Sequence, residues 1–153
     1  MSSKHLLIVY HSQTGNTQVM AEAVYRGTRR VAGTEVRLQR AQATGLDDLL
    51  WADGLLLGTP ENFGYMSGAL KDFFDRTFYP AQGKVDGLAY AVFISAGNDG
   101  TGALSSIERI ARGYPFKRVC EPVIARGEVA AEVLGQCDEL GETLATGIAW
   151  GIF

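Results

Sequence analysis

Cysteine and proline are scarce, with two and four residues in a chain of 153. Cys120 and Cys137 lie far apart and form no Cys-x-x-Cys pair, which excludes a disulfide framework and a dithiol redox motif. Cys120 sits in an apolar run and is expected in the core. No apolar run approaches the roughly 18 residues of a membrane span, and no secretory pattern precedes the first apolar segment. A cytoplasmic protein with free thiols, without a membrane partner, is expected. No His/Cys/Asp cluster has metal-ligand spacing, so no metal is expected. Ser12 follows His11, but neighbours on a loop rarely form a catalytic pair, and no nucleophile-elbow signature is present. His11 is expected to face solvent. Basic residues are not in excess either: net charge is −3, which argues against nucleic acid as a partner. Arg26, Arg29, Arg30, Arg37 and Arg40 are read as solvated faces of a helix and a strand. Repeats, linkers and low-complexity segments are absent.

What remains is a soluble globule's composition, 46% hydrophobic and 20% charged. At this length one domain is expected over residues 1–153, burying about two-thirds of the surface of its unfolded chain. Apolar periodicity alternates between strand-like and helix-like. Strands are expected over Leu6–Tyr10, Thr34–Gln39, Asp53–Gly58, Leu88–Ile94 and Arg118–Ile124. The last is interrupted by Pro122, which predicts an edge or a bulge. Helices are expected over Thr17–Val31, Leu46–Trp51, Ser67–Phe78, Gly102–Arg112 and Ala130–Thr146. Ser67 and Thr101 are candidate N-caps. Leu70, Phe73, Phe74 and Thr77 form the apolar face of the third helix, with Lys71–Asp75 and Asp72–Arg76 as i,i+4 pairs.

Five apolar strands alternating with helices imply a three-layer αβα domain on a five-stranded parallel sheet. Such sheets bind ligands beyond the carboxyl ends of their strands, where the winding reverses. In the order 2-1-3-4-5, the loops after strands 1, 3 and 4 converge there. The first of these loops carries the strongest signal. Leu6-Leu7-Ile8-Val9 leads into Ser12-Gln13-Thr14-Gly15-Asn16-Thr17, and a helical pattern follows. A strand that delivers small hydroxyl and amide residues to a helix start suits phosphate, because the first helical N–H groups lack internal partners and the dipole adds positive potential. The loop has no Gly-x-x-x-x-Gly-Lys-Ser/Thr, no Gly-x-Gly-x-x-Gly, no cysteine and no following acidic pair. These gaps argue against a nucleoside triphosphate, a dinucleotide, a thiolate phosphatase and a phosphoryl-accepting receiver. It also holds no lysine or arginine, so the anion would be held mostly by N–H and O–H dipoles.

The pattern resembles the FMN phosphate loop of the flavodoxin-like family, Ser/Thr-x-Thr-Gly-x-Thr. Gly58-Thr59-Pro60, followed by Phe63-Gly64-x-Met66-Ser67-Gly68, is similar to the corresponding segment of flavodoxin-like NAD(P)H:quinone reductases of the WrbA type. The chain is shorter than those proteins and lacks their histidine-bearing loop after strand 4. The resemblance implies that Ser12, Gln13, Thr14, Gly15, Asn16 and Thr17 hold the FMN phosphate. It also implies that Pro60, Glu61, Asn62, Phe63 and Gly64 flank the isoalloxazine, with Ser95, Ala96 and Gly97 on its other side. Glu61 is expected to be a solvated loop carboxylate, with a place near the ring as the alternative. No catalytic residue is assigned. The function implied is NAD(P)H-dependent reduction of a quinone or similar small acceptor through FMN. Its alternatives are a one-electron carrier that docks to redox proteins and a flavin-free regulatory domain on the same fold. Ser95–Gly102 contains no aromatic, and the acidic charge is mild; both favour the reductase. Phe78 and Tyr79 would form an apolar patch in a monomer, so a homodimer is the expected assembly.

Overall fold

The computed structural model describes residues 3–153. Its elements are β1 (Lys4–Tyr10), α1 (Asn16–Thr28), β2 (Thr34–Arg40), α2 (Leu46–Trp51), β3 (Gly54–Pro60), α3 (Gly68–Ala81), β4 (Ala89–Ala96), α4 (Thr101–Gly113), β5 (Lys117–Arg118), β6 (Val123–Arg126) and α5 (Ala131–Ala149). All strand pairs are parallel, in the order β2-β1-β3-β4-β5, and β6 also pairs with β4.

The expected fifth strand is therefore two short segments against one neighbour. Pro122 has no N–H to give a ladder, and pairing lapses from Cys120 to Pro122. A groove of about 440 Å³ opens beside the gap, against α5. Cys120 lines it and is only half-buried, which corrects its expected place in the core.

The central strands are buried on both faces, as their unbroken Leu/Ile/Val runs require. Side-chain alternation splits each run between two cores. Leu7, Val9, Leu55, Leu57, Val92 and Ile94 face α2, α3 and α4. Leu6, Ile8, Leu56, Ala91 and Phe93 face α1 and α5. Each fully buried aliphatic side chain contributes roughly 1.5–3 kcal/mol relative to exposure, so a one-residue slip of any central strand would cost several such terms.

In α3, Leu70, Phe73, Phe74 and Thr77 are buried as expected. Ser67 caps this helix by accepting from Leu70 N–H at 3.3 Å. Lys71–Asp75 and Arg76–Asp72 pair at 2.7 Å. The helix runs past its expected end, through Pro80 to Ala81.

Candidate functional site

The three loops at the carboxyl edge of the sheet meet through specific bonds. Tyr10 of β1 lies opposite Gly58 of β3, and Pro60 of β3 opposite Ser95 of β4. His11 N–H donates to the Gly58 carbonyl at 3.1 Å, and Glu61 N–H to that of Ser95 at 2.9 Å. Thr17 Oγ1 and Ser95 Oγ are 2.8 Å apart and buried. The structure thus brings together the segments Ser12–Thr17, Pro60–Gly64 and Ser95–Gly97.

The first loop is organised by its own serine. Ser12 Oγ accepts from Gly15 N–H and Gln18 N–H, each at 3.1 Å. Gly15 is the N-cap of α1 with φ of +101°, a left-handed conformation that favours glycine. Helix α1 begins at Asn16, one residue before expected. The N–H groups of Gln13, Thr14, Asn16 and Thr17 enter no hydrogen bond among the described residues. Gln13, Thr14 and Asn16 are exposed around them. Thr17 is buried instead, so its hydroxyl braces the loop against β4.

His11 does not face solvent as expected. Its Nδ1 is buried without a partner. Burial, and secondarily the Arg40 guanidinium, holds its pKa below the usual histidine value.

The second loop makes a tight turn. Asn62 and Tyr65 exchange two backbone hydrogen bonds of 2.9 and 3.0 Å around Phe63 and Gly64. Both central residues have positive φ, +53° and +69°, the signature of a two-residue turn that ordinarily uses Asn-Gly. Phe63 is fully exposed. A bulky residue held in that conformation costs about 1–3 kcal/mol, and it projects an aromatic ring into solvent at the sheet's binding edge.

The turn is locked to α4. Glu61 Oε2 accepts from Ala103 N–H at 3.0 Å, which caps the helix with a carboxylate. Glu61 is thus a helix cap, not the solvated loop carboxylate expected. Met66 N–H donates to Ser106 Oγ at 3.1 Å, and Ser67 N–H to Thr59 Oγ1 at 2.9 Å. A Cβ at Gly102 would fall on the Gly64 carbonyl, so only glycine permits this approach.

In the third loop Ser95 and Ala96 are buried, while Gly97, Asn98 and Asp99 are exposed. Thr101 does not cap α4. Asp99 Oδ1 accepts from Thr101 N–H at 3.0 Å and from its hydroxyl at 2.8 Å. These bonds lower the Asp99 pKa. Tyr79 is exposed, and with Phe78 it lines an apolar groove of about 530 Å³ between α3 and α4. Sequence reasoning gave Thr59, Ser106 and Gly102 no role in the site. Thr59 stood in the Gly58-Thr59-Pro60 motif and Gly102 among the glycines of its loop, but nothing marked Ser106, whose partner Met66 lies on another segment.

A doubly wound parallel sheet with an unpaired N–H cradle at its switch point, walled by a braced aromatic turn, offers a place for an anionic group beside a flat ring. The flavodoxin family model matches residues 8–148, and the chain belongs to that family. It is 43% identical over 97 residues to a flavodoxin of Aquifex aeolicus, covering 63% of this chain and 52% of that protein. It is 34% identical over 111 residues to an NAD(P)H dehydrogenase (quinone) of Acidithiobacillus ferrooxidans, covering 59% and 56%. The chain therefore spans little more than half the length of these curated relatives. A solved flavodoxin, a WrbA-like protein of Agrobacterium tumefaciens, superposes with a TM-score of 0.79 at 23% identity, covering 99% of this chain and all of that one. Family membership implies FMN as cofactor. The residues fit it: four free N–H donors and the exposed Thr14 hydroxyl match a phosphate monoester, and the adjoining Phe63 matches a flat ring. Among the described residues, no group of side chains could hold a metal ion, and no helix is long and apolar enough to cross a membrane.

Proposed function

We propose that the chain is an FMN-dependent reductase, passing electrons from NAD(P)H to a quinone or a similar small acceptor. Ser12, Gln13, Thr14, Gly15, Asn16 and Thr17 hold the phosphate. Pro60–Gly64 and Ser95–Gly97 bound the ring. When bound, FMN supplies two-electron acceptance from a nicotinamide and delivery to an acceptor. The protein's part is to bind, orient and shield. The exposed Phe63 ring offers one flat apolar surface. The bonds from Glu61 and Met66 to α4 fix that turn before any ligand arrives, which lowers the ordering cost of binding.

One observation carries the reductase reading: the β4 loop exposes only Gly97, Asn98 and Asp99 and contributes no aromatic. That side of the site is open to a second flat molecule. The likeness to an NAD(P)H dehydrogenase (quinone) supports this reading. The likeness to a flavodoxin favours a second one, an electron carrier for redox proteins. Anaerobic mixing of the FMN-loaded protein with NADH or NADPH, then a quinone, separates them. Nicotinamide oxidation with quinone reduction supports the reductase. Protein that is reduced only by dithionite, and then passes electrons to one-electron acceptors, supports the carrier.

A further inference from the structure

The phosphate loop contains no cation, yet a phosphate monoester carries about −1.5 to −2 charges near neutral pH. The fold sets one cation beside it. Tyr10 and Arg40 are register partners at the carboxyl ends of β1 and β2, so Arg40 stands where the loop leaves the sheet. Its guanidinium lies over the Tyr10 ring, 5.3 Å from the centroid. Its Nη2 donates to Gln18 Oε1 at 3.0 Å. Gln18 is in the first turn of α1, and its own N–H donates to Ser12 Oγ inside the loop.

Unlike Arg30, Arg37, Arg76 and Arg118, Arg40 pairs with no carboxylate among the described residues. Arg26, Arg29, Arg109, Arg112 and Arg126 share that, so what marks Arg40 is its place beside the loop, held by Tyr10 and Gln18. Its charge is not cancelled locally, and its field reaches His11 at the loop entrance.

We infer that Arg40 is the counter-ion of the phosphate loop, held beside it by Tyr10 and Gln18, and that it selects the phosphorylated flavin over riboflavin. This inference rests on the FMN reading of the site. The loop dipoles fix the position of the phosphate, and Arg40 adds Coulomb attraction without entering the cradle. Attraction of this kind weakens with salt, because the Debye length falls from about 20 Å to about 6 Å as ionic strength rises from roughly 0.02 M to 0.3 M.

The test compares wild type with Arg40→Lys, Arg40→Gln and Arg40→Glu. FMN and riboflavin affinities are measured by flavin fluorescence at low and raised potassium chloride. The side chain is exposed, so the variants are expected to fold. For Arg40→Gln the expected result is a loss of about two- to fivefold for FMN at low salt, the range of an exposed ion pair, and little change for riboflavin. Arg40→Glu should lose more, Arg40→Lys should retain most of the affinity, and the salt dependence should flatten in Arg40→Gln. Equal losses for both flavins would reduce Arg40 to a packing role on Tyr10 and overturn the inference, leaving the site reading intact. A wild-type protein that binds FMN no better than riboflavin would overturn the site reading itself.

Discussion

Thr17 on α1 and Ser95 at the end of β4 share a buried hydrogen bond of 2.8 Å, 78 residues apart in the chain. This bond ties the loop before α1 to the loop after β4, the two sides of the proposed flavin site. Thr17→Val should leave the Ser95 hydroxyl unpaired and destabilise the protein by about 1–3 kcal/mol. Adding Ser95→Ala removes the stranded group, so the double variant should lose less than the sum of the singles. Urea unfolding of the four proteins measures this; strict additivity would show that the two hydroxyls do not interact.

Thr14 should behave differently, because it is exposed and braces nothing. Thr14→Ala should leave stability within about 0.5 kcal/mol. It should weaken FMN by about tenfold, the value of one hydrogen bond to a charged group, and leave riboflavin nearly unchanged. Isothermal titration checks this. Equal losses for the two flavins would show that the hydroxyl does not reach the phosphate.

The Phe63 turn sets stability against binding. Phe63→Gly relieves a positive φ and should stabilise the protein by up to about 1 kcal/mol, while removing the aromatic surface and weakening flavin binding. Gly102→Ala should do the opposite to the scaffold. It displaces the Gly64 carbonyl, costs about 1–3 kcal/mol by overpacking, and loosens the turn that faces the ring. Thermal unfolding with and without FMN distinguishes the two. A Phe63→Gly protein with full flavin affinity would contradict the role given to that ring.

His11 predicts a pH dependence. Its folded pKa lies below the ordinary value of about 6.5. Between those two values the unfolded chain binds more protons, so stability rises with pH. The contribution is present above about 6.5 and lost as pH falls toward the folded pKa. His11→Gln should flatten the fall in stability as pH drops below the ordinary histidine value in denaturant titrations. An unchanged slope would assign the acid sensitivity to other groups.

The fold was legible because Leu6–Val9, Leu55–Leu57 and Ala91–Ile94 are runs that only a doubly covered sheet can bury. The turn from β1 into α1 was legible because small hydroxyl, amide and glycine residues cluster there locally. Less could be read where a residue's task depends on a distant partner. Glu61 reaches 42 residues along the chain to Ala103 N–H, and nothing near it announces a helix cap. His11 is half-buried with its Nδ1 unpartnered, which its place on a polar loop does not announce. Thr101 does not cap α4: Gly100 holds the N-cap position, and the Thr101 hydroxyl turns back to Asp99 instead. Pro122 did signal trouble in the fifth strand, but only the pairing with β4 converts a bulge into two segments.

Calorimetric titration of flavin-free protein with FMN, riboflavin and FAD tests whether the chain holds FMN through its phosphate at the Ser12–Thr17 loop. One FMN per chain is expected, bound about a hundredfold or more tighter than riboflavin, as several charge-assisted bonds to one phosphate require, and FAD no tighter than FMN. Equal affinity for FMN and riboflavin, tighter binding of FAD, or no flavin binding would contradict it.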